Sequence, residues 1–79
     1  MPLTPKEFSM LCLFLKSPDQ VYSRDHLLST IWGFKTDTED RTIDSHIRNI
    51  REKLRHAGFP VDQHLKTVWG IGYKWSSVD

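Results

Sequence analysis

A chain of 79 residues, 38% hydrophobic and 11% aromatic, has apolar material for one compact core, which excludes a disordered tail and leaves no room for a second domain. Its net charge of +1 does not by itself announce a nucleic-acid binder, and the distribution of charge says more. Cys12 is the single cysteine, so an internal disulfide and a cysteine-rich zinc site are both excluded, and a cytoplasmic location is expected.

The spacing predicts three helices followed by a hairpin. Thr4 caps the first helix, Pro5 suits its first position and Glu7 completes a capping box. Phe8, Met10, Leu11, Cys12, Leu13, Phe14 and Leu15 make that helix apolar nearly all round. The unbroken part, Met10 to Leu15, is far short of the roughly 20 residues that span a bilayer, and no secretion signal precedes it. Ser17-Pro18-Asp19 ends the helix, and Gln20-Val21-Tyr22 reads as a brief strand. Ser23 caps the second helix, Leu27, Leu28, Ile31 and Trp32 form its apolar stripe, and Gly33 closes it.

Phe34 to Asp40 is a polar loop ending in three acids, Asp37, Glu39 and Asp40. The third helix runs from about Arg41 to His56. Five basic residues against two acids give residues 41–55 a local +3, so the charge switches sign sharply at Arg41. Ile43, Ile47, Ile50 and Leu54 form a narrow apolar stripe, and Arg41, Thr42, Ser45, Arg48, Asn49 and Glu52 lie opposite. Gly58 and Pro60 terminate the region. Leu65–Trp69 and Tyr73–Trp75 are β-rich runs joined by Gly70-Ile71-Gly72, in which two residues tolerate positive φ.

The third helix points to DNA. Arg and Asn match guanine and adenine edges bidentately in the major groove, and basic groups on the shoulders of the helix reach phosphates. A bare amphipathic helix would show the same pattern, but the hairpin adds Lys66 and Lys74 beside a tip bearing Trp69, Ile71 and Tyr73. Trp75 and one face of Tyr73 are expected to pack in the core, with Trp69 open to either role.

Leu3-Thr4-Pro5-Lys6-Glu7-Phe8, then Val21 through Leu28, then Ile31-Trp32-Gly33 stand in order along the chain. They are followed by Arg41 through Arg48, Arg51 through Leu54, and Thr67 through Lys74. This succession resembles the OmpR/PhoB family of bacterial response-regulator output domains. The resemblance implies an α+β fold: a three-helix winged helix-turn-helix with a C-terminal β-hairpin wing. It implies sequence-specific binding to double-stranded promoter DNA and transcriptional regulation in a two-component system. A head-to-tail second protomer on direct repeats, RNA polymerase, and an upstream histidine kinase acting on a separate receiver domain are the implied partners.

By that resemblance the helix from Arg41 is the recognition helix, with Thr42, Ser45, Arg48 and Asn49 facing bases. Trp32, Arg41, His46, Arg51 and Tyr73 would hold phosphates, and Lys66, Trp69, Gly70, Ile71, Gly72 and Lys74 form the wing. Asp37, Glu39 and Asp40 correspond to a loop that meets RNA polymerase in several relatives. Some relatives carry arginine where Trp69 stands, so a minor-groove charge is missing here, and Asn49 replaces an often basic residue. The family's four-stranded N-terminal sheet is absent from residues 1–79, which reads as a truncated domain, so some of Met10, Leu11 and Phe14 are expected to be exposed.

No convergent reactive groups suggest an enzyme. His26, His46, His56 and His64 lie in different elements, and His56, Asp62 and His64 meet none of the further requirements of an active site. No cofactor or metal is expected, since Gly70-Ile71-Gly72 follows no βαβ unit. Two alternatives remain: a winged helix that binds protein, and the DNA-binding domain of a membrane-anchored one-component regulator.

Overall fold

Helix α1 (Pro5–Lys16) begins where the capping box places it. The Glu7 N–H donates to Thr4 Oγ1 at 3.2 Å and the Thr4 N–H donates to Glu7 Oε1 at 2.8 Å. The computed structural model describes residues 2–34 and 37–77. Strand β1 (Val21–Ser23) follows a turn in which Asp19 takes a φ of 68°. Asp19 ties that turn to the far end of the chain, its N–H donating to the Trp75 carbonyl at 2.7 Å. Helix α2 (Arg24–Trp32) is capped by Ser23, whose Oγ accepts from the His26 N–H, and ends at Gly33 with a φ of 102°.

The polar loop after α2 includes Lys35 and Thr36, which lie outside the described residues. Helix α3 (Arg41–His56) buries Ile43, Ile47 and Ile50 essentially completely, each worth about 1.5–3 kcal/mol in removal from water. A single 3-10 turn (Val61–Gln63) leads into β2 (Leu65–Val68) and then β3 (Gly72–Trp75). The three strands form one antiparallel sheet in the order β1-β3-β2. Three helices over this sheet make an α+β winged helix.

The core lies where Met10 and Phe14 of α1, Leu27 of α2 and the α3 isoleucines meet Leu65, Tyr73 and Trp75 of the sheet. This corrects two expectations. Met10 and Phe14 are fully buried, because α1 packs against α2, α3 and β3; the apolar surface α1 exposes is Phe8 at 59% and Leu15 at 49%, beside the exposed Cys12. Leu11 is half-buried against the core. The hairpin connection is also one residue earlier than its glycines suggest. Trp69-Gly70-Ile71 turns the chain, the Ile71 N–H donating to the Val68 carbonyl, and Gly70 alone of the two glycines takes positive φ. Gly72 is already in β3, where a β-carbon would meet the Tyr22 carbonyl oxygen at 2.0 Å.

Glu7 is the one buried charged residue among those described, at 1% exposure. Its Oε1 accepts from Lys53 Nζ at 2.6 Å, joining the start of α1 to the last turns of α3. Burial pushes the Glu7 carboxyl up, but Lys53 and the donors of Thr4 outweigh it and leave the group below its ordinary 4.5.

Candidate nucleic-acid interface

Packing the isoleucine stripe inward turns the opposite face of α3 to solvent. Ser45, Arg48, Asn49 and Glu52 are exposed there. Among the described residues, Ser45, Arg48 and Asn49 have no side-chain hydrogen bond or ion pair within the chain. Their donors and acceptors are therefore available to a partner. Thr42, one turn earlier, is half-buried, and its carbonyl accepts from His46 Nδ1 at 2.9 Å.

That bond settles which ring nitrogen of His46 carries hydrogen, since a carbonyl only accepts. Nε2 then donates to an anion only in the imidazolium form. The His46 ring also meets the Trp32 ring edge-on at 4.9 Å, and Lys6 Nζ lies 5.3 Å from the Trp32 centroid. Arg41 is 82% exposed and pairs with Glu39 at 2.5 Å. An exposed pair of this kind contributes at most about 1 kcal/mol, so a phosphate can displace Glu39 readily.

Two expected phosphate ligands also make bonds within the chain. Arg51 Nη2 donates to the Leu65 carbonyl and to Thr67 Oγ1, both at 3.0 Å, and its guanidinium lies 5.9 Å from the Tyr73 centroid. Tyr73 donates its hydroxyl proton to Asp44 Oδ1. A phosphate oxygen also only accepts, so Tyr73 has no proton to give it while Asp44 holds the bond. Burial first, and then the hydrogen bond and charge of Asp44, push the Tyr73 phenol up to about 12.

Asp44 and Arg24 are the residues that sequence reasoning passed over. Arg24 Nη1 donates to Asp44 Oδ2 at 3.0 Å, so α2, α3 and β3 meet at one carboxylate. With Thr67 and Tyr73 they line a cleft of about 240 Å³ between the start of α3 and the hairpin. Asp44 in the first turn of a helix reads as a partner for the helix dipole, and nothing local marks contacts 20 and 29 positions away.

The hairpin tip is open. Trp69 is 89% exposed and Ile71 is also exposed, whereas Tyr73 and Trp75 are buried as expected. Lys66 and Lys74 stand directly opposite on β2 and β3, with no ion pair among the described residues. Like charges facing each other across strands repel, which makes this face receptive to an anion. In the loop before α3, Asp37, Glu39 and Asp40 are all exposed. No group of His, Cys, Asp and Glu that could hold a metal is present among the described residues. No helix of the described residues is long and apolar enough to cross a membrane.

Comparison with known proteins agrees with this geometry. The chain is 43% identical over 77 residues to the phosphate regulon transcriptional regulatory protein PhoB of Klebsiella pneumoniae, covering 98% of this chain and 33% of that protein. It is similar in structure to the DNA-binding domain of Bacillus subtilis CssR, with a TM-score of 0.82 and 32% identity, over 94% of this chain and 77% of that one. The DNA-binding domain of the response regulator AdeR, solved in complex with an intercistronic region, matches with a TM-score of 0.82 and 31% identity, over 98% of this chain and 74% of that one. The chain spans about a third of the length of the curated relatives it matches. Residues 1–75 match the family described as transcriptional regulatory protein, C terminal, a family of transcription regulators rather than of enzymes, and the chain belongs to it.

Proposed function

We propose that this chain is the sequence-specific DNA-binding output domain of a two-component response regulator, and that α3 reads bases in the major groove. The observation that carries the reading is the free outer face of α3: Ser45, Arg48 and Asn49 are exposed and unspent while the isoleucines behind them are buried. Thr42, Ser45, Arg48 and Asn49 face base edges, Arg48 and Asn49 being the bidentate readers. Arg41, His46 in its imidazolium form and the Trp32 indole N–H hold the flanking phosphates. Tyr73 serves the wing instead, because its one hydroxyl proton is given to Asp44, whereas Arg51 braces the wing through Nη2 and keeps Nε and Nη1 for a phosphate. Lys66 and Lys74 supply charge from the hairpin, whose tip, Trp69 to Ile71, lies along the adjoining backbone with its indole against deoxyribose.

The whole protein regulates transcription from promoter DNA in the bacterial cytoplasm, under a receiver domain phosphorylated by a histidine kinase. Two protomers bind head to tail on direct repeats, which compensates for the weak nonspecific attraction of a domain with a net charge of only +1. The exposed acids Asp37, Glu39 and Asp40 offer a surface to RNA polymerase. Selection of bound sequences from random duplexes tests the base-reading role. Wild type is expected to enrich one motif, and Arg48→Ala to lose the preference at one position, at a cost of about 1–3 kcal/mol. A wild-type preference that Arg48→Ala leaves intact contradicts the assignment.

A further inference from the structure

The wing is joined to α3 at two places. Near the start of the helix Asp44 accepts from Tyr73 of β3, and seven residues on Arg51 donates to Thr67 and Leu65 of β2. Seven residues are two turns, so the attachments stand roughly 10 Å apart along the axis. β3 is also held by its pairing with β1, and the two attachments add to that pairing in fixing the angle between the hairpin and α3. Arg24 completes the first, holding the second oxygen of Asp44 from α2. Asp44 is half-buried in its first-turn position, beside the base-facing row without belonging to it.

We propose that Asp44 is a positioning residue: through Tyr73 and Arg24 it sets the angle at which the hairpin stands off α3, and so decides whether the wing reaches DNA already held by that helix. This rests on the DNA-binding reading above. Asp44 itself makes no favourable contact with DNA, since a carboxylate near phosphates is repelled. Its contribution passes to the tip residues, which have no support of their own: Trp69 and Ile71 project from a three-residue turn and are exposed. The charge of Asp44 is neutralised locally by Arg24, whose guanidinium pairs with it at 3.0 Å.

The test is a double-mutant cycle between two residues that the account connects only through the wing, Asp44→Ala and Trp69→Ala, read as affinity for the duplex that wild type selects; alanine is used because an asparagine oxygen would still accept from Tyr73. Each single variant is expected to weaken binding by roughly tenfold, and the double variant to bind no more weakly than Asp44→Ala alone. Tyr73→Phe removes the same attachment with no change of charge. It is expected to erase the Trp69→Ala effect as well, which covers a failure of Asp44→Ala to fold. Alkaline ultraviolet titration of the phenol reads the attachment without DNA: Asp44→Ala lowers the ionisation of Tyr73 from about 12, leaving only the part of the rise that burial causes. Losses that multiply independently in the double variant overturn the proposal while leaving DNA recognition intact, as does an unmoved phenol titration. A wild-type domain that selects no sequence overturns both.

Discussion

At Gly72 a β-carbon would lie 2.0 Å from the Tyr22 carbonyl oxygen, because β1 and β3 approach where Ser23 pairs with that residue. Gly72→Ala is expected to cost more than about 2 kcal/mol in a urea melt, since backbone rather than a flexible side chain must move. Gly58→Ala meets open space at a φ of 85° and is expected to cost only about 1 kcal/mol, from the strained backbone alone. Glu7 gives a pH signature. Its folded carboxyl titrates below 4.5, so the stabilisation it contributes is present above 4.5 and is lost as pH falls through the lower, folded value. Urea melts from about pH 6 to about pH 3 are expected to show an acid limb that Glu7→Gln flattens; an unchanged limb would remove Glu7 from the account. The capping role of Glu7 was legible because Thr4 stands three residues away. Its bond to Lys53 spans 46 positions and has no local trace.

Among the elements, α3 was the most legible, for a physical reason: a stripe at helical spacing with polar residues opposite has one way to bury itself. Its bounds, its buried isoleucines and its exposed Ser45, Arg48 and Asn49 follow from that pattern. Ile47→Ala is expected to cost about 2–5 kcal/mol, whereas Arg48→Ala and Asn49→Ala change stability by less than about 0.5 kcal/mol in the same denaturant titration. Comparable losses at all three would mean the outer face is packed. Helix α1 was harder, because apolar residues all round its axis do not say which side the core takes. Met10 and Phe14 are inside and Phe8 and Leu15 outside because α2, α3 and β3 lie on one side of it, a tertiary fact. The hairpin was misplaced by one residue because both glycines read as turn formers, whereas Gly72 is required by the close approach of β1.

For the whole molecule, charge placement matters more than the net +1. If Arg41, His46, Lys66 and Lys74 with one further group neutralise about five phosphates per protomer, the logarithm of affinity falls with the logarithm of salt at a slope of roughly −4 to −5. Lys66→Ala is expected to lower the magnitude of that slope by about one while leaving the preferred sequence unchanged. A slope near zero would mean that phosphates are not the anchor. The family was legible from ordered blocks along nearly the whole chain, but the Arg24–Asp44–Tyr73 joint was not, since its members come from three elements that only the fold brings together. The central claim is tested most directly by following backbone amide resonances while a selected duplex is titrated in. The account predicts that Thr42 to Asn49 and Trp69 to Ile71 shift together, and that the exposed side of α1 at Phe8, Cys12 and Leu15 does not. Shifts confined to α1, with Ser45, Arg48 and Asn49 unmoved, would contradict it.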